Sequence, residues 1–541
     1  MKKVLAILLA LTLALSLAAC QSPNNPSGAS ANPSASTSTG EETNNTGVSG
    51  SPSMDGTVTI GYTGTHDCYH PSSTVSNNYM ASSILYDMLF EVDDETGEYG
   101  SRILSDYGWE EDGLTLRLTL KDGVYFADGT QMTAEDVLYS LYMYVAPGGR
   151  TDKYGHYKYI DFDASYTSED GLTAYVVWTI PYSPAISSLN CPILSKVFLE
   201  TYDESDEIWY NAPLGSGPYE VKECVIDSYV TFALRDDYWA ADEYSYDCQE
   251  ITIRYYTDET AMYVDYQNYT LDAIYNISSN ICEQIEAAGN QGVVNYVPLN
   301  DVTLLCFNSA NEYLNDPAVR EAIAHALDMN AMAEVGYGLL QAPATDHFSS
   351  AFDCYVKHEN YNYDPEYAAQ VLADAGYESG EITIEFIAAN VDPQPAIAEL
   401  VQAYLEVIGI NVTVTNYDLG TALQYFQSGE NDIALMSVTG GNATCIAMQV
   451  FNSMTADTPM LDRAITDETF NGYISEGMNS NDPEVYNAAF AAASQWLGDN
   501  YHALPIAEVT AALAYHDGTI ASFNQSCIGR GCLGSIKLVQ G

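Results

Sequence analysis

The chain has 541 residues, with 74 acidic and 17 basic side chains and a formal net charge of −57 at pH 7. This length is more than one simple hydrophobic core supports, so two or more lobes are expected. The charge excludes nucleic acid as a partner, because binding phosphate requires clustered Lys and Arg, and it disfavours direct binding to anionic lipid.

The first twenty residues have the pattern of an export signal. Lys2 and Lys3 precede an apolar run at 4–19, which is shorter than the roughly 20 residues of a membrane-spanning helix. Small residues immediately before Cys20 resemble the lipobox of bacterial lipoproteins. The resemblance implies cleavage before Cys20, acylation with chains such as palmitate, and anchoring on the extracytoplasmic face of the cell membrane. The alternative is an ordinary signal peptide with a chance cysteine.

Residues 21–54 consist largely of Ser, Asn, Pro, Thr and Gly and contain no aromatic residue. Such a segment buries too little apolar surface to fold, so we expect a disordered tether with a reach of about 30–35 Å. Export also permits disulfides among the eleven cysteines. Cys527 and Cys532 form the closest pair after the tether, and free thiols are an equally compatible alternative.

Order is expected from residue 56 onward, where alternating strands and helices begin. Thr133 followed by Asp136 is a capping pattern that predicts the start of a helix. A polar loop at 66–71 separates the first strand from the first helix. The first four predicted elements are a strand, a helix, a strand and a helix, at 57–62, 82–90, 114–120 and 134–142.

The second half of the chain repeats the alternation of helix and strand. Its predicted helices are at 319–327, 367–375, 395–407 and 421–427, and its predicted strands are at 381–387, 410–414 and 433–436. This alternation is typical of a mostly parallel sheet covered by helices, so the fold class is α/β.

Six segments, in this order, resemble the family 5 extracellular solute-binding proteins, which are the dipeptide, oligopeptide and nickel receptors of ATP-driven importers. The match extends from residue 56 to about 505. The six segments are 121–137, with KDGVYFADGT and TAEDV; 213–219, PLGSGPY; 235–239, RDDYW; 306–308 with 316–323, CFN and DPAVREAI; the helix at 363–376; and 408–412, IGINV.

The resemblance implies a two-lobe, three-subdomain fold of the periplasmic-binding-protein-like class II type, with a hinge and a ligand cleft between the lobes. The two hinge crossings are expected near 307–311 and 502–505. The implied divisions are a signal peptide at 1–20, a tether at 21–54, lobe I at 55–80, 213–308 and 505–541, an additional subdomain of lobe I at 81–212, and lobe II at 309–504.

The ligand is expected to bind beside two loops of this cleft. Peptide-binding members carry an aspartate in the passage that corresponds to 433–442, where it pairs with the amino terminus of the peptide. Here Ser437, Val438 and Gly441 stand at the motif positions, so that anchor is missing unless the loop is shifted. The candidate ligand residues are Tyr62, His66, Asp67, Tyr69, Phe307, Asn308, Thr439, Gly440, Gly441 and Asn442.

Several solute classes remain open. The 439–442 loop offers backbone groups and an amide, which suit a neutral polar solute, whereas the loop at 66–70 combines His, Asp, Cys and His, which could hold a metal chelate. We predict no resident metal or cofactor. The expected function is capture of a small peptide-like or other polar solute by a monomeric lipoprotein. An ABC permease with a cytoplasmic ATPase would receive the solute.

Two other functions are weaker alternatives. The sequence has no His-Glu-x-x-His, Gly-x-Ser-x-Gly, Walker or dinucleotide motif, and no catalytic residue is predicted. A secreted hydrolase with two carboxylates is nevertheless conceivable among 74 acidic residues. A non-transport adhesin or sensor on the same fold is the other alternative.

Overall fold

A computed structural model describes residues 56–540, except 65, 67, 71–77, 93–98, 147–154, 183, 204, 290–291, 440–441, 448–464, 466 and 526–531. The expected export signal, Cys20, the tether and Cys527 all lie outside the described residues. Residues 50–541 form one compact unit. Within the part that is described, every helix is too short or too polar to cross a lipid bilayer.

The strands β1 to β19 are, in chain order, Thr57–Thr63, Glu91–Val92, Tyr99–Gly100, Leu104–Trp109, Thr115–Leu120, Tyr166–Thr167, Thr173–Val177, Tyr219–Val225, Tyr229–Leu234, Glu250–Tyr256, Ala273–Tyr275, Val293–Phe307, Gln341–Pro343, Thr383–Ala389, Asn411–Tyr417, Ile433–Thr439, Ala503–Tyr515, Ile520–Ser522 and Lys537–Leu538.

The helices α1 to α15 are, in chain order, Asn78–Leu85, Ala134–Met143, Ala185–Ser188, Lys196–Thr201, Ile208–Asn211, Glu259–Gln267, Ser279–Ala288, Pro317–Ala326, Met329–Tyr337, Pro365–Ala375, Gln394–Val407, Leu419–Ser428, Ala443–Ile446, Glu468–Met478 and Pro483–Asn500. Many of these helices begin as the sequence predicts. The Asp364 side chain, for example, caps α10 by accepting from Tyr367 N at 2.9 Å, and Gly376 ends it in the left-handed conformation.

Eleven of the described strands form one mixed sheet in the order β15-β14-β16-β12-β17-β11-β1-β10-β9-β8, with β13 paired to β17. Parallel pairs occur at two places only among these strands, around β1 and around β14. The long strands β12 and β17 run antiparallel between them. The expectation of a mostly parallel sheet is therefore wrong, because it overlooked the two long strands that join the two parallel sets.

The two long strands carry the chain from one parallel set to the other near their middles. Tyr515 of β17 pairs with Val293 and also with β11, next to β1, whereas Ala503 pairs with Cys306 beside β16. The pairing of β12 with β17 is interrupted between Pro298 and Val302. The crossings expected near 307–311 and 502–505 are thus misplaced, because those residues already lie deep in the second set.

The described residues form three buried hydrophobic clusters. The first includes Ile60, the strands and helices of 81–212, and one side of the second parallel set. The second surrounds Phe386 and the helices α8 to α11, and the third lies under α6 and α7. The first cluster is continuous across both parallel sets, so these two parts of the sheet share one apolar core.

The first helix differs from the sequence expectation of 82–90. It ends at Leu85, whose carbonyl accepts a hydrogen bond from Gly217 N at 3.0 Å. A Cβ at Gly217 would lie 2.4 Å from the Ile84 carbonyl oxygen, so only glycine permits this close approach of two backbones. The GSGPY segment therefore acts by packing against the end of α1.

Candidate solute-binding site

The carboxyl ends of both parallel sets point toward the middles of β12 and β17, where these two strands pass from one set to the other. We call this place the crossing. In the first set, β11 ends at Tyr275, which pairs with Leu513 of β17. In the second, β16 ends at Thr439, which pairs with Asp301 of β12. Val302, the neighbour of Asp301 on β12, pairs with Glu508, five residues before Leu513, so the two ends lie no more than about 17 Å apart along β17. Ligands of open α/β sheets bind outside such carboxyl ends.

Three tyrosines lie side by side near the carboxyl ends of the first parallel set of strands. Tyr62, Tyr255 and Tyr275 are register partners on the adjacent strands β1, β10 and β11. The rings of Tyr62 and Tyr275 stack at 5.8 Å, and Tyr255 meets Tyr62 edge to face at 6.4 Å. Burial raises the pKa of Tyr255, so its phenol stays protonated and can donate a hydrogen bond. The row forms an aromatic wall with polar tips, as solute sites commonly require.

The loop after β1 extends this wall. His66 Nε2 lies 3.2 Å from the Tyr69 hydroxyl, and the His66 ring contacts Tyr210 at 5.8 Å and Tyr255 at 5.4 Å. Both His66 and Tyr69 are buried. Burial is the main cause that raises the pKa of Tyr69 far above its usual value. Tyr62, His66 and Tyr69 are thus brought together around Tyr255.

The end of the second set carries a polar cluster. Ser437 Oγ donates to Asp301 Oδ1 at 2.6 Å, and the hydroxyls of Thr303 and Tyr337 lie 2.6 Å apart beside it. Asp301 is only 6 % exposed. A carboxylate is therefore present one strand away from the passage in which sequence analysis found none.

Two asparagine side chains from the second half of the chain bond residues of the first half. Asn442 Nδ2, just before α13, donates to Ser187 Oγ of α3 at 2.8 Å. Farther along, Asn481 Nδ2 donates to the Gly113 carbonyl oxygen at 2.8 Å. Asn442 is buried. These two bonds link the starts of α13 and α15 to α3 and to the turn before β5.

Other predicted site residues are placed elsewhere or lie outside the description. Phe307 ends β12 and pairs with Ile433, six residues from Asp301 and about 20 Å away at 3.3 Å per residue. Asn308 Nδ2 donates to the carbonyl oxygen of Asn431 at 2.6 Å and so stabilises the turn that precedes β16. Both residues therefore lie away from the strand ends, because the chain crosses earlier than expected. Asp67, Gly440 and Gly441 lie outside the described residues.

Among the described residues of the 66–70 loop, no three His, Cys, Asp or Glu side chains converge as metal ligands. The His70 ring packs edge to face on Trp209 at 4.7 Å, while His66 faces Tyr69. Among the described residues, the only group of three or more His, Cys, Asp or Glu with converging ligand atoms is Asp346, His347 and His358.

Tyr255, Tyr275 and Asp301 belong to the candidate site but are absent from the sequence prediction. Tyr255 and Tyr275 come from strands more than 190 residues after β1, so only the strand register unites them with Tyr62. One available signal was the recurrence of tyrosine at the ends of three short apolar runs.

The chain is similar to known solute-binding proteins in sequence and in fold. Residues 98–456 match the model of the bacterial extracellular solute-binding proteins, family 5 Middle. The glutathione-binding protein GsiB of Pectobacterium atrosepticum is 26 % identical over 371 residues, 68 % of this chain and 70 % of its own length.

Two solved structures share the fold. The dipeptide-binding protein of Pseudoalteromonas sp. SM9913, in complex with Met-Leu, has a TM-score of 0.75 at 19 % identity and covers 89 % of this chain and 100 % of its own. NikA from Brucella suis, in complex with Fe(III)-EDTA, has a TM-score of 0.77 at 19 % identity with the same coverages. Since the family model spans well over half of its length, the chain belongs to the bacterial extracellular solute-binding proteins, family 5.

Proposed function

We propose that this protein captures a small peptide-like solute between the tyrosine row of Tyr62, Tyr255 and Tyr275 and the loop that begins at Thr439, and delivers it to an ABC permease. The observation that carries the proposal is the convergence of two sets of strand carboxyl ends on one crossing. The separation of up to about 17 Å along β17 is in the range of a short extended peptide, at about 3.4 Å per residue. The solute is bound and released without chemical change.

Asp301 is the proposed partner for the amino group of the solute. A buried ammonium requires a carboxylate partner, and the 437–442 passage supplies none among its side chains. Asp301 is buried, is paired in register with Thr439, and is oriented by the Ser437 hydroxyl. It therefore occupies the neighbourhood in which peptide-binding members are expected to hold an amine.

The charge of the chain favours a neutral or cationic peptide over an anionic one. With a formal charge of −57, the protein repels anions at long range and raises the local concentration of cations. Glutathione, named for the relative above, carries two carboxylates. We therefore expect a short peptide with a free amine and no surplus of acidic groups.

The proposal includes attachment to the membrane and a division into lobes. Cys20 carries the lipid, and residues 21–54 tether a monomeric receptor to the extracytoplasmic face. Closure occurs at the middles of β12 and β17, where the pairing between Pro298 and Val302 is interrupted. The lobes otherwise follow the division implied by the family resemblance.

The test compares a panel of dipeptides with their N-acetylated forms by isothermal titration calorimetry, using the wild type, Asp301→Asn and the control Asp374→Asn. Asp374 is exposed on α10 and bonds Gln370 at 2.7 Å, so its carboxylate is remote from the site. The wild type and the control should prefer free amines by about 30-fold or more, as for a charge-assisted bond. Asp301→Asn should abolish this preference. An unchanged preference in Asp301→Asn would contradict the amine assignment, and failure of every dipeptide to bind would contradict the solute class.

A further inference from the structure

A second cluster of polar side chains lies in the core of the region that follows β13, away from the strand ends. Asp346, His347 and His358 are all buried, at 0 %, 0 % and 6 % exposure. His347 Nδ1 and His358 Nε2 each lie 3.6 Å from the same oxygen, Asp346 Oδ1. The three atoms lie within 4.8 Å of one another. Two nitrogens and one oxygen thus converge on one point.

These separations are close to those around a metal ion. Zn²⁺ binds His nitrogen and Asp oxygen at about 2.0–2.2 Å in tetrahedral geometry, which places ligand atoms about 3.3–3.5 Å apart. The two distances of 3.6 Å to Asp346 Oδ1 need to shorten by only a few tenths of an ångström. Ser494 Oγ, which donates to Asp346 Oδ1 and lies 3.0 Å from His358 Nε2, adds a neutral oxygen beside the same point.

The outer contacts orient His347 as they do for metal-bound imidazoles. His347 Nε2 lies 3.0 Å from the Ala503 carbonyl oxygen. A carbonyl only accepts, so Nε2 donates to it, and Nδ1 is the ring nitrogen that faces Asp346. A histidine that binds a metal through one ring nitrogen usually donates the N–H of its other ring nitrogen to a group such as a backbone carbonyl. Asp346 Oδ2 is held in turn by Val356 N at 2.6 Å.

The cluster lies in a long loop that a bound metal ion would stabilise. The segment from 344 to 364 connects β13 to α10 without a helix or strand of its own. Loops of this length are uncommon in compact domains unless something fixes them. Asp346, His347 and His358 all belong to this loop, while Ser494 lies on α15 and Ala503 begins β17. A metal ion here would close the long loop on itself and hold it beside α15.

We propose that Asp346, His347 and His358 form a buried structural site for a divalent transition-metal ion of the zinc class. The solute and the strand ends take no part in it. The ligand set is two imidazoles and one carboxylate, which favours Zn²⁺ over the oxygen-preferring Ca²⁺ and Mg²⁺. Burial of all three ligands excludes bulk water, as is typical of a closed structural site.

The experiment uses the untagged full chain, stripped with a chelator and titrated with Zn²⁺, with bound metal measured by elemental analysis after desalting. We expect one Zn²⁺ per chain and a higher melting temperature. His358→Gln should weaken Zn²⁺ binding by about 100-fold or more, since loss of even an outer partner of a ligand costs 10–100-fold. The matched control is His325→Gln. The His325 ring bonds the Asn362 carbonyl at 2.8 Å, outside the cluster, so this variant should bind like the wild type.

A spectroscopic arm keeps the test independent of whether a variant folds. Co²⁺ added to the metal-free wild type should give the intense visible bands of a tetrahedral site, and Zn²⁺ should displace them. Wild type that binds no Zn²⁺, or that gives only the weak bands of hydrated Co²⁺, would overturn the proposal. It would also be overturned by Zn²⁺ binding that persists in His358→Gln but disappears in His66→Gln, because the metal would then belong to the loop after β1.

Discussion

Trp239 donates its indole N–H to Asp87 Oδ2 at 2.8 Å, and this contact joins two segments that are 152 residues apart. Tyr238 donates to the other carboxylate oxygen at 3.1 Å, and Ser216 of the GSGPY segment accepts from Asp87 N at 3.1 Å. Arg235 Nη1 donates to the Gly217 carbonyl oxygen at 2.9 Å. The RDDYW and GSGPY segments that mark the family are therefore parts of one buried polar network around Asp87, and none of these contacts includes a proposed ligand residue.

The first prediction concerns the buried bond from Tyr238 to Asp87. Tyr238→Phe should lower the free energy of unfolding by about 1.5–3 kcal/mol, because a buried carboxylate loses a donor. The matched control is Tyr229→Phe, whose hydroxyl donates to Glu223 at 2.9 Å on the surface. The control should change stability by less than about 0.5 kcal/mol. Urea denaturation of both variants checks this, and equal losses would show that the network contributes no more than a surface bond.

The second prediction concerns pH. Burial raises the pKa of Asp87, although the nearby Arg102 partly opposes this effect. The folded state therefore holds a proton more tightly than the unfolded chain. Between the ordinary carboxyl pKa, near 3.9, and the raised folded value, the free energy of unfolding should fall as pH rises.

Asp87→Asn does not titrate and should lack this component. Relative to the variant, the wild type should lose at most about 1.4 kcal/mol of stability for each pH unit crossed between those two pKa values. Denaturation of both proteins between pH 4 and pH 8 measures the difference. If the free energies of unfolding of the two proteins change with pH in the same way throughout, Asp87 is ionised in the folded protein over the whole range.

The third prediction concerns the backbone contact at Gly217. Its missing side chain admits the carbonyl of Ile84, which a Cβ would approach to 2.4 Å. Gly217→Ala should cost about 1–3 kcal/mol of stability through forced backbone movement. Gly100→Ala is the control, because nothing lies within 4 Å of the Cβ it would add. A change in melting temperature that is the same for both variants would argue against the close approach.

Local patterns predict the regular elements well because the controlling residues are near in sequence. The capping pattern at Thr133 and Asp136 is such a case, since Asp136 Oδ2 accepts from Thr133 N at 2.8 Å. The end of α1 could not be predicted in this way. It depends on Asp87 and on Gly217, which is 130 residues later, so tertiary bonds override a local helical pattern there.

Only part of the candidate site could be predicted, because a local sequence pattern does not show which distant residues come into contact. The loop after β1 was identified because its polar residues are consecutive. Tyr255 and Tyr275 join Tyr62 only through strand register, and Asp301 joins Thr439 only through the pairing of β12 with β16. The interruption near Pro298 also hides the length of β12 from a period-two pattern, which explains why the crossing was misplaced.

The fourth prediction concerns the anchor. Cys20→Ser removes the thiol that the lipobox resemblance assigns for acylation. The variant should be recovered in the medium or the soluble extracytoplasmic fraction, because the apolar run before residue 20 is too short for a stable membrane span. Fractionation with labelled palmitate checks both acylation and location. Recovery of the variant wholly in the membrane fraction, as for the control Cys191→Ser, would contradict the lipid anchor.

The fifth prediction concerns the bond between Asn442 and Ser187, which joins a residue three positions after the end of β16 to α3. If this bond forms on closure, Asn442→Ala and Ser187→Ala should each weaken solute binding by about fivefold, since a neutral hydrogen bond contributes about 1 kcal/mol. The double variant should be no weaker than either single variant, because both changes remove the same contact. Additive losses would mean that the two side chains act separately, for instance on the solute itself. Asn481→Ala, which breaks the bond to the Gly113 carbonyl, provides an independent comparison, and small-angle scattering with and without solute would show whether each variant still closes.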